Sequence, residues 1–432
     1  MAKTIKFFTL GCKVNQYETQ AMRERLLNAG FAENNNEPAD IYIVNTCTVT
    51  AQADRESRRL IRRALRLNSR AKVIVTGCYI EKDARETLKI SSRVLIVPNQ
   101  QKHRIVDYLN SAGEKRPLTG DESFIPLGIS GFKDYQRAFV KIQDGCNNFC
   151  SYCKVPLVRG GSRSRGLKEI IEEVRRLVNC GFKEIVLTGI CLGDYHYRNF
   201  DLANVVTSLE KIKGEFRIRL SSIEPQLIND RLIETFNSPK ICPHLHIPLQ
   251  SGDDTILKMM NRQYTQKEFL SLIAKIKKRI KDVAITTDIL VGFPGEKEIN
   301  FKQTLSCLKE ILPLRTHIFS FSLREGTRAF MLKEQIEPGL IKERVNRLKE
   351  VSAECSYKFR KQFLEKTLSV LIEAKVDRKS RAFCGYSQNY IRVILEDATE
   401  KDINNLTEVK VKAVDIYSTR AQKFRPKKDG GF

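Results

Sequence analysis

Cys146, Cys150 and Cys153 stand at the spacing C-x3-C-x2-C within the stretch DGCNNFCSYC. A disulfide joins two sulfurs. Structural zinc takes four ligands, and no neighbouring Cys or His supplies a fourth here. On a loop folding into a helical turn, three thiolates so spaced can wrap one compact metal centre. Iron–sulfur clusters are held by cysteine thiolates, commonly four to a cubane, so a set of three leaves one iron open to another ligand. Arg159, Arg163 and Arg165 follow in KVPLVRGGSRSR and add positive charge beside the motif.

The N-terminal stretch MAKTIKFFTLGCKVN begins like a strand and lacks the apolar run and small-residue cleavage site of a signal peptide. No run of about 18 or more apolar residues is present, so a membrane span is not expected. The expected compartment is the cytoplasm, where the 12 cysteines stay mostly reduced and clustered thiols point to metal binding or catalysis before disulfides.

The motif needs elements to position it. The N-terminal segment repeats one unit: the apolar runs IKFFTLGC, ADIYIVNTC and AKVIVTGC end at Cys12, Cys47 and Cys78, with helix-like NQYETQAMRERLLNAG and AQADRESRRLIRRALRLNS between them. Gly30 sits where a helix C-cap belongs. Strands alternating with helices imply a parallel sheet, and ligands bind such sheets beyond the carboxyl ends of the strands. The three cysteines fall at that edge and are expected to converge in space. Residues 111–135, rich in Gly, Pro, Ser and charge, read as a linker. A second alternation follows, from RAFVKIQDG through LKEIIEEVRRLVNCG, KEIVLTGI, FRIRLSSI, HLHIPLQSG and VAITTDILVGFPGE to RTHIFSFS, about six βα units and enough for a partial or full parallel barrel. After a helix near 340–365 the pattern turns β-rich with short turns and reads as a small antiparallel barrel, whose Tyr386, Tyr390 and Tyr417 beside Lys and Arg suit RNA stacking.

Lys and Arg number 75 against 51 acids, a net charge of +24 that favours a polyanionic partner. The helix after Cys47 carries Arg55, Arg58, Arg59, Arg62, Arg63, Arg66 and Arg70 along one broad face, with Leu60, Ile61, Ala64, Leu65 and Leu67 on the apolar side. Such a stripe beside a candidate metal ligand is expected to contact phosphate. Cys180, Cys191, Cys242, Cys307, Cys355 and Cys384 lack any spacing logic and read as structural, as do His244 and His246, which alternate along one strand.

C-x3-C-x2-C after the first strand of a (βα) barrel resembles the radical S-adenosylmethionine enzymes. Together with LGCKVNQYET, VNTCTV, VTGC and the terminal β-barrel, it is similar from end to end to the methylthiotransferases of that superfamily. The resemblance implies an N-terminal α/β domain over residues 1–115, a radical barrel over 136–362 and a TRAM-like RNA-binding domain over 364–425. It implies one [4Fe-4S] cluster on Cys146, Cys150 and Cys153 that chelates S-adenosylmethionine, and a second on Cys12, Cys47 and Cys78. No side chain need be catalytic, because the radical arises at the cluster-bound cofactor and abstracts hydrogen. A second S-adenosylmethionine then methylates sulfur at the auxiliary cluster. Members of the family modify adenosine 37 in the anticodon loop of tRNA, or a ribosomal protein. CSYCKVPLVRGGSRSR and TGICLGDY are most similar to the threonylcarbamoyladenosine tRNA branch, and the isopentenyladenosine branch has Glu near the position of Arg163.

The resemblance also implies cofactor contacts: Tyr152 through its backbone with the adenine, Thr188 and Gly189 near the methionine amino group, Ser222 and Gln250 toward the ribose or carboxylate, and Gly292 on the adenine side. Arg55, Arg58, Arg59, Arg62 and Arg66 would hold RNA, with Arg159, Arg163 and Arg165 on a substrate-facing rim. An external electron donor and sulfur source are implied, and a monomer is the default. The alternatives are an isopentenyladenosine or ribosomal-protein substrate, or an iron–sulfur RNA-binding protein without catalysis.

Overall fold

The computed structural model describes residues 2–110 and 124–424, apart from positions 35, 37, 83, 126 and 134. β1 (Thr4–Thr9), β2 (Ala32–Glu33), β3 (Ile41–Thr46), β4 (Lys72–Gly77) and β5 (Val94–Ile96) form a parallel sheet in the order β2-β1-β3-β4-β5. β3 reads IYIVNT and is buried at every position, as a strand covered on both faces must be. Its alternate side chains serve two layers. Ile41 and Ile43 pack with Met22 and Leu26 of α1 (Lys13–Asn28), while Tyr42 and Val44 pack with Leu60, Ile61 and Ala64 of α2 (Ala51–Leu67). β1, β3 and β4 each stop just before Cys12, Cys47 or Cys78, which places all three at one carboxyl edge.

The next strands are β6 (Arg137–Lys141), β7 (Gln143–Asp144), β8 (Arg163–Ser164), β9 (Glu184–Thr188), β10 (His196–Tyr197), β11 (Phe200–Asp201), β12 (Arg217–Leu220), β13 (His244–His246), β14 (Ala284–Val291) and β15 (Arg315–Ser320). β7 pairs with β8, and β10 with β11, as short antiparallel ribbons. The other six run parallel, and bridges at Ile218–Ile241 and Ser222–His246 join their two halves in the order β6-β9-β12-β13-β14-β15. This is the partial barrel that six βα units imply. Leu245, Ile285 and Ile289 belong to the core built with Phe269, Ile273, Ile276 and Leu308 of the surrounding helices. The alternate positions His244, His246, Thr286 and Asp288 therefore face the lumen.

β16 (Thr367–Val376), β17 (Phe383–Ser387), β18 (Arg392–Leu395), β19 (Leu406–Val414) and β20 (Thr419–Lys423) close into a small barrel around Leu368, Val370, Ile372, Val393 and Val409. It docks against the amino ends of the large barrel's strands. Arg217 donates to the carbonyls of Tyr386 (2.7 Å) and Ser369 (3.2 Å), and Arg219 to those of Ser387 (3.1 Å) and Gln388 (3.1 Å). The Tyr390 ring lies 4.6 Å from the His244 ring and stacks on Tyr386 at 4.9 Å. Tyr386 and Tyr390 are thus half-buried at the floor of the large barrel. Tyr417 is 83% exposed.

The linker expectation needs a similar correction. Residues 111–123 lie outside the described residues, but Ile125, Leu127, Ile129 and Phe132 are buried in the large core. The Tyr17 hydroxyl of α1 donates to the Leu127 carbonyl at 2.9 Å, so this segment straps the first sheet to the barrel.

Glu184 holds the floor by accepting from Arg217 (2.6 Å) and Arg219 (2.7 Å). Burial alone would raise its carboxyl pKa, but Arg219 and Arg217 outweigh burial and hold it well below the usual range. A carboxyl depressed on folding contributes stability that is complete above its unfolded value, about 4.3, and is lost as pH falls toward the folded value. Glu184→Gln is expected to cost about 3 kcal/mol at neutral pH by leaving two buried guanidinium groups underpaired, and to lessen the acid dependence of melting. Thermal melts between neutral and acid pH check both.

Candidate active site

The first cysteine set lies on the loop after β6 and its short partner β7. Gly145 has φ +73, and a Cβ there would overlap the Gly161 carbonyl, so the turn entering the motif requires glycine. The Cys146 amide donates to the Gly160 carbonyl at 3.1 Å and the Cys153 amide to that of Cys150 at 3.0 Å, which closes the helical turn. Each sulfur has a donor: the Asn148 amide to Cys146 Sγ (3.5 Å), Arg262 Nη1 to Cys150 Sγ (3.1 Å) and the Val155 amide to Cys153 Sγ (3.4 Å). Arg262 is itself paired with Glu224. Burial raises the pKa of Cys150, and burial followed by Cys150 pushes Cys153 up to about 12. The Cys146 thiol goes the other way, lowered chiefly by its contact with Cys191. Three sulfurs that each accept a hydrogen bond, two of them raised by burial, fit a cationic metal centre, which would stabilise the thiolates.

Cys191, which spacing leaves as structural, lies within hydrogen-bond reach of Cys146, and its thiol is driven up by that contact and by burial. Asn148 Nδ2 approaches its sulfur at 3.7 Å. Its signal in the sequence is its position just past the carboxyl end of β9, the edge that singles out the other cysteines.

The second set closes around two glycines. Gly11 (φ +100) would set a Cβ 3.1 Å from Cys47 Cβ and 3.2 Å from its Sγ, and Gly77 (φ +101) would drive one into the Thr46 backbone. Cys47 is pushed up to about 11 by burial and by the neighbouring Cys78 and Cys12. Burial also raises Cys78, against the pull of Arg159. Arg159 Nε donates to Cys78 Sγ at 3.3 Å. Glycine at the approaches and mutual proximity of the thiols suit a shared centre here as well.

Arg159 does not lie on the rim. It is 4% exposed and joins the two sets through a buried charge network. Its Nη1 meets Glu18 at 2.9 Å and Asp144 at 3.0 Å, and its Nη2 donates to Asn15 Oδ1 at 2.6 Å. Lys141 also pairs with Glu18 (2.8 Å) and Asp144 (2.6 Å), and Lys102 with Glu18. Three cations face two carboxylates, and the surplus cation is the one against Cys78. Despite burial, Lys141 and Arg159 hold the Asp144 carboxyl at about 2.

Arg165 is also buried, bonded to Glu173, to the Tyr17 hydroxyl at 3.3 Å and to Glu169 at 3.3 Å, so it ties α1 to the helix Leu167–Asn179 instead of meeting substrate. Arg163 is half-buried, with Nη2 donating to the Arg159 carbonyl at 2.7 Å. On α2, Arg55, Arg59, Arg62, Arg63 and Arg66 are exposed and Arg58 is half-buried against the Tyr79 hydroxyl at 3.3 Å, whereas Arg70 lies past the helix end at Leu67, exposed in the turn before β4. Arg59 pairs with Glu56.

Thr188 and Gly189 end β9, Ser222 follows β12, Gln250 follows β13 and Gly292 follows β14, all on the edge that carries Cys146. A Cβ at Gly189 would come 2.8 Å from Gln143 Oε1, which accepts from the Cys191 amide. Gln250 has φ +64 and its amide donates to the Asp288 carbonyl at 2.8 Å. Tyr152 packs edge-on to Phe293 at 6.5 Å. Gly292 (φ +77) has a packing reason of its own, because a Cβ would strike Ile341 at 2.5 Å.

One layer below Gln250, His246, Asp288 and His317 gather in the lumen with their ligating atoms within 4.8 Å of one another. His246 Nε2 meets Asp288 at 3.1 Å, and its Nδ1 meets Thr286 Oγ1 at 2.9 Å. His246 is thus satisfied, as a structural histidine would be, yet it forms part of a polar lumen that its alternation along the strand does not reveal.

Residues 140–308 match the family model described as the Radical SAM superfamily, and residues 4–98 match the Uncharacterized protein family UPF0004. The chain is 39% identical to the threonylcarbamoyladenosine tRNA methylthiotransferase MtaB of Bacillus subtilis, over 94% of this chain and 93% of that one. It is 34% identical to the tRNA-2-methylthio-N(6)-dimethylallyladenosine synthase of Acetivibrio thermocellus, over 95% of this chain and 88% of that one. Among solved structures, the radical S-adenosylmethionine methyltransferase TsrM from Kitasatospora setae matches with a TM-score of 0.58 at 13% identity, over 83% of this chain and 89% of that one, a likeness of fold.

Proposed function

The chain belongs to the radical S-adenosylmethionine methylthiotransferases, and on that premise we propose that it adds a methylthio group to carbon 2 of N6-threonylcarbamoyladenosine 37 in tRNA. The observation that carries the chemistry is the pair of three-cysteine sets at carboxyl strand edges, with Arg159 donating to Cys78 of one set and paired with Asp144, two residues before Cys146 of the other. When bound, the two [4Fe-4S] clusters and S-adenosylmethionine supply the hydrogen-abstracting radical and the methylated sulfur. The chain's own part is positioning. Cys146, Cys150 and Cys153 would hold the cluster that binds the cofactor, with Arg262 orienting the Cys150 sulfur. Cys12, Cys47 and Cys78 would hold the other, with Arg159 against Cys78. Tyr152, Thr188, Gly189, Ser222, Gln250 and Gly292 would frame the cofactor at the mouth of the barrel. The substrate branch follows the greater identity with the MtaB relative.

We assign the division of labour to residues 1–115, 136–362 and 364–425, the last a TRAM-like RNA-binding unit. An external electron donor and sulfur source are required by the chemistry, and the enzyme acts as a monomer in the cytoplasm. No helix among the described residues is long and apolar enough to cross a membrane. The test is to digest tRNA from cells with and without the protein and read the nucleosides by mass. Loss of methylthio-threonylcarbamoyladenosine supports the reading. Loss of the methylthio-isopentenyl nucleoside alone refutes it.

The exposed arginines of α2 track the RNA backbone in this reading. Replacing Arg62 and Arg66 together with Ala is expected to weaken binding to all tRNAs alike and to reduce the slope of log K against log salt by about 1 to 2. Titrations at several salt concentrations check this.

A further inference from the structure

We infer that the segment 321–329, which leaves the carboxyl end of β15, sets the spacing between the two cysteine sets, with Arg324 as its positioning residue. This rests on the two-cluster reading and adds what keeps radical formation at one set coupled to methylthio transfer at the other.

The segment touches both cysteine loops. Nη2 of Arg324 donates to the Thr48 carbonyl at 2.7 Å and lies 2.8 Å from both Thr48 Oγ1 and Asp54 Oδ2. Thr48 directly follows Cys47, and its hydroxyl donates to the other oxygen of Asp54 at 2.6 Å. Ser322 Oγ accepts from the Ala51 amide at 3.3 Å, so residues 48–54 are held at two points. Farther along, the Ala329 amide donates to the carbonyl of Ser151, between Cys150 and Cys153, at 2.7 Å. Phe321 packs on Phe293 at 5.6 Å, and Phe293 on Tyr152 at 6.5 Å. Within the segment the Arg324 carbonyl accepts from the Thr327 amide at 3.1 Å and from its hydroxyl at 2.7 Å, which closes a turn. Thr48, Asp54, Ser151, Arg324 and Ala329 are all buried.

Cys47 stands on the first sheet and Cys150 on the large barrel, so neither sheet fixes the distance between them. Arg159 fixes the Cys78 side, through Asp144. A contact on one side alone lets the two units rock about it. Segment 321–329 adds a second point on the Cys47 side, and a short buried span closed by its own turn has few ways to change length. Without the guanidinium, Asp54 keeps Lys82 at 3.5 Å, which belongs to the first sheet's own unit and spans nothing. A misplacement of about 1 Å at a reacting centre can cost about 100-fold in rate. Cleavage of S-adenosylmethionine needs the first cysteine set alone, whereas methylthio transfer needs both sets in register. Loss of Arg324 therefore separates two rates that stay linked in the intact enzyme.

The test uses reconstituted holoenzyme with tRNA and compares wild type with Arg324→Gln, Arg324→Lys and Thr48→Val. Three quantities are measured: iron per chain, 5′-deoxyadenosine formed, and methylthio nucleoside formed. Arg324→Gln is expected to keep about eight irons and to form 5′-deoxyadenosine within about twofold of the wild-type rate. Its ratio of 5′-deoxyadenosine to methylthio product should rise about fivefold or more. Arg324→Lys should recover part of the coupling, because an ammonium reaches the carboxylate without the fork that also takes the Thr48 carbonyl. Thr48→Val removes one acceptor and should raise the ratio about twofold, which decides the matter if Arg324→Gln does not fold. Pulsed electron paramagnetic resonance of the reduced protein reads the dipolar coupling between the two centres, expected to be single-valued in wild type and broadened in Arg324→Gln. A loaded variant with the wild-type ratio and the wild-type coupling overturns the inference and leaves the two-cluster reading intact. Loss of cleavage and transfer together, with iron retained, would place Arg324 at the cofactor and also overturn it. A wild type that binds only about four irons overturns the two-cluster reading itself.

Discussion

Chains carrying Cys47→Ser or Cys78→Ser are expected to lose methylthio transfer, to hold about four irons in place of about eight after anaerobic reconstitution, and still to cleave S-adenosylmethionine. The division follows from placement. Cys47 and Cys78 directly follow β3 and β4 of the first sheet, whereas Cys146, Cys150 and Cys153 sit on their own loop after β7, closed by its own amides and by Arg262. A serine oxygen is a hard ligand in a site built for soft thiolates, and its proton is harder still to remove in a buried position. Glycine already occupies positions 11 and 77 to allow the close approach, so the exchange changes the ligand and not the packing. Iron by colorimetry, 5′-deoxyadenosine by chromatography and tRNA nucleosides by mass separate the three outcomes. Eight irons retained in both variants would remove Cys47 and Cys78 from the ligand set.

Arg159→Met is expected to be the most damaging single change outside the cysteines. It removes the donor to Cys78 and to Asn15 and strips Glu18 and Asp144 of a partner they share. Breaking a buried ion pair from one side costs about 3–5 kcal/mol. Arg159 also opposes the burial that raises the Cys78 thiol, so its loss makes the thiolate harder to form and iron easier to lose from that set. The expected result is faster hydrogen exchange in α1, together with selective iron loss. Arg159→Lys should recover part of the stability but not the shared contacts, since an ammonium lacks the planar fork that reaches Cys78, Glu18 and Asn15 at once. Equal exchange in variant and wild type would show that the network does not join the two units.

The sequence made the cysteines legible because strand ends and short spacings are local facts. Six βα units and the closing small barrel were legible for the same reason. Depth was not. Arg159, Arg163 and Arg165 read as one basic run, yet Glu18, 141 residues before Arg159, and Glu173 decide which of them face inward. Gly, Pro and Ser masked the alternation of Ile125, Leu127 and Ile129 that fits the strap to the core. Tyr390 looked like a base-stacking residue because nothing nearby in sequence shows that its backbone takes φ +68 and turns it into the barrel floor.

That floor has a consequence for how the chain is made. Arg217 and Arg219 find their carbonyl partners 152 to 169 residues later, in a barrel that is synthesised after the large one. Until β17 emerges, the large barrel has its lumen open at both ends and two guanidinium groups held by Glu184 alone. A ribosome stalled before β17 would therefore expose the uncapped floor of the partial barrel to the cell's proteases. The C-terminal unit completes the fold of its neighbour, and its removal by truncation should reduce protein yield before any effect on RNA binding is seen.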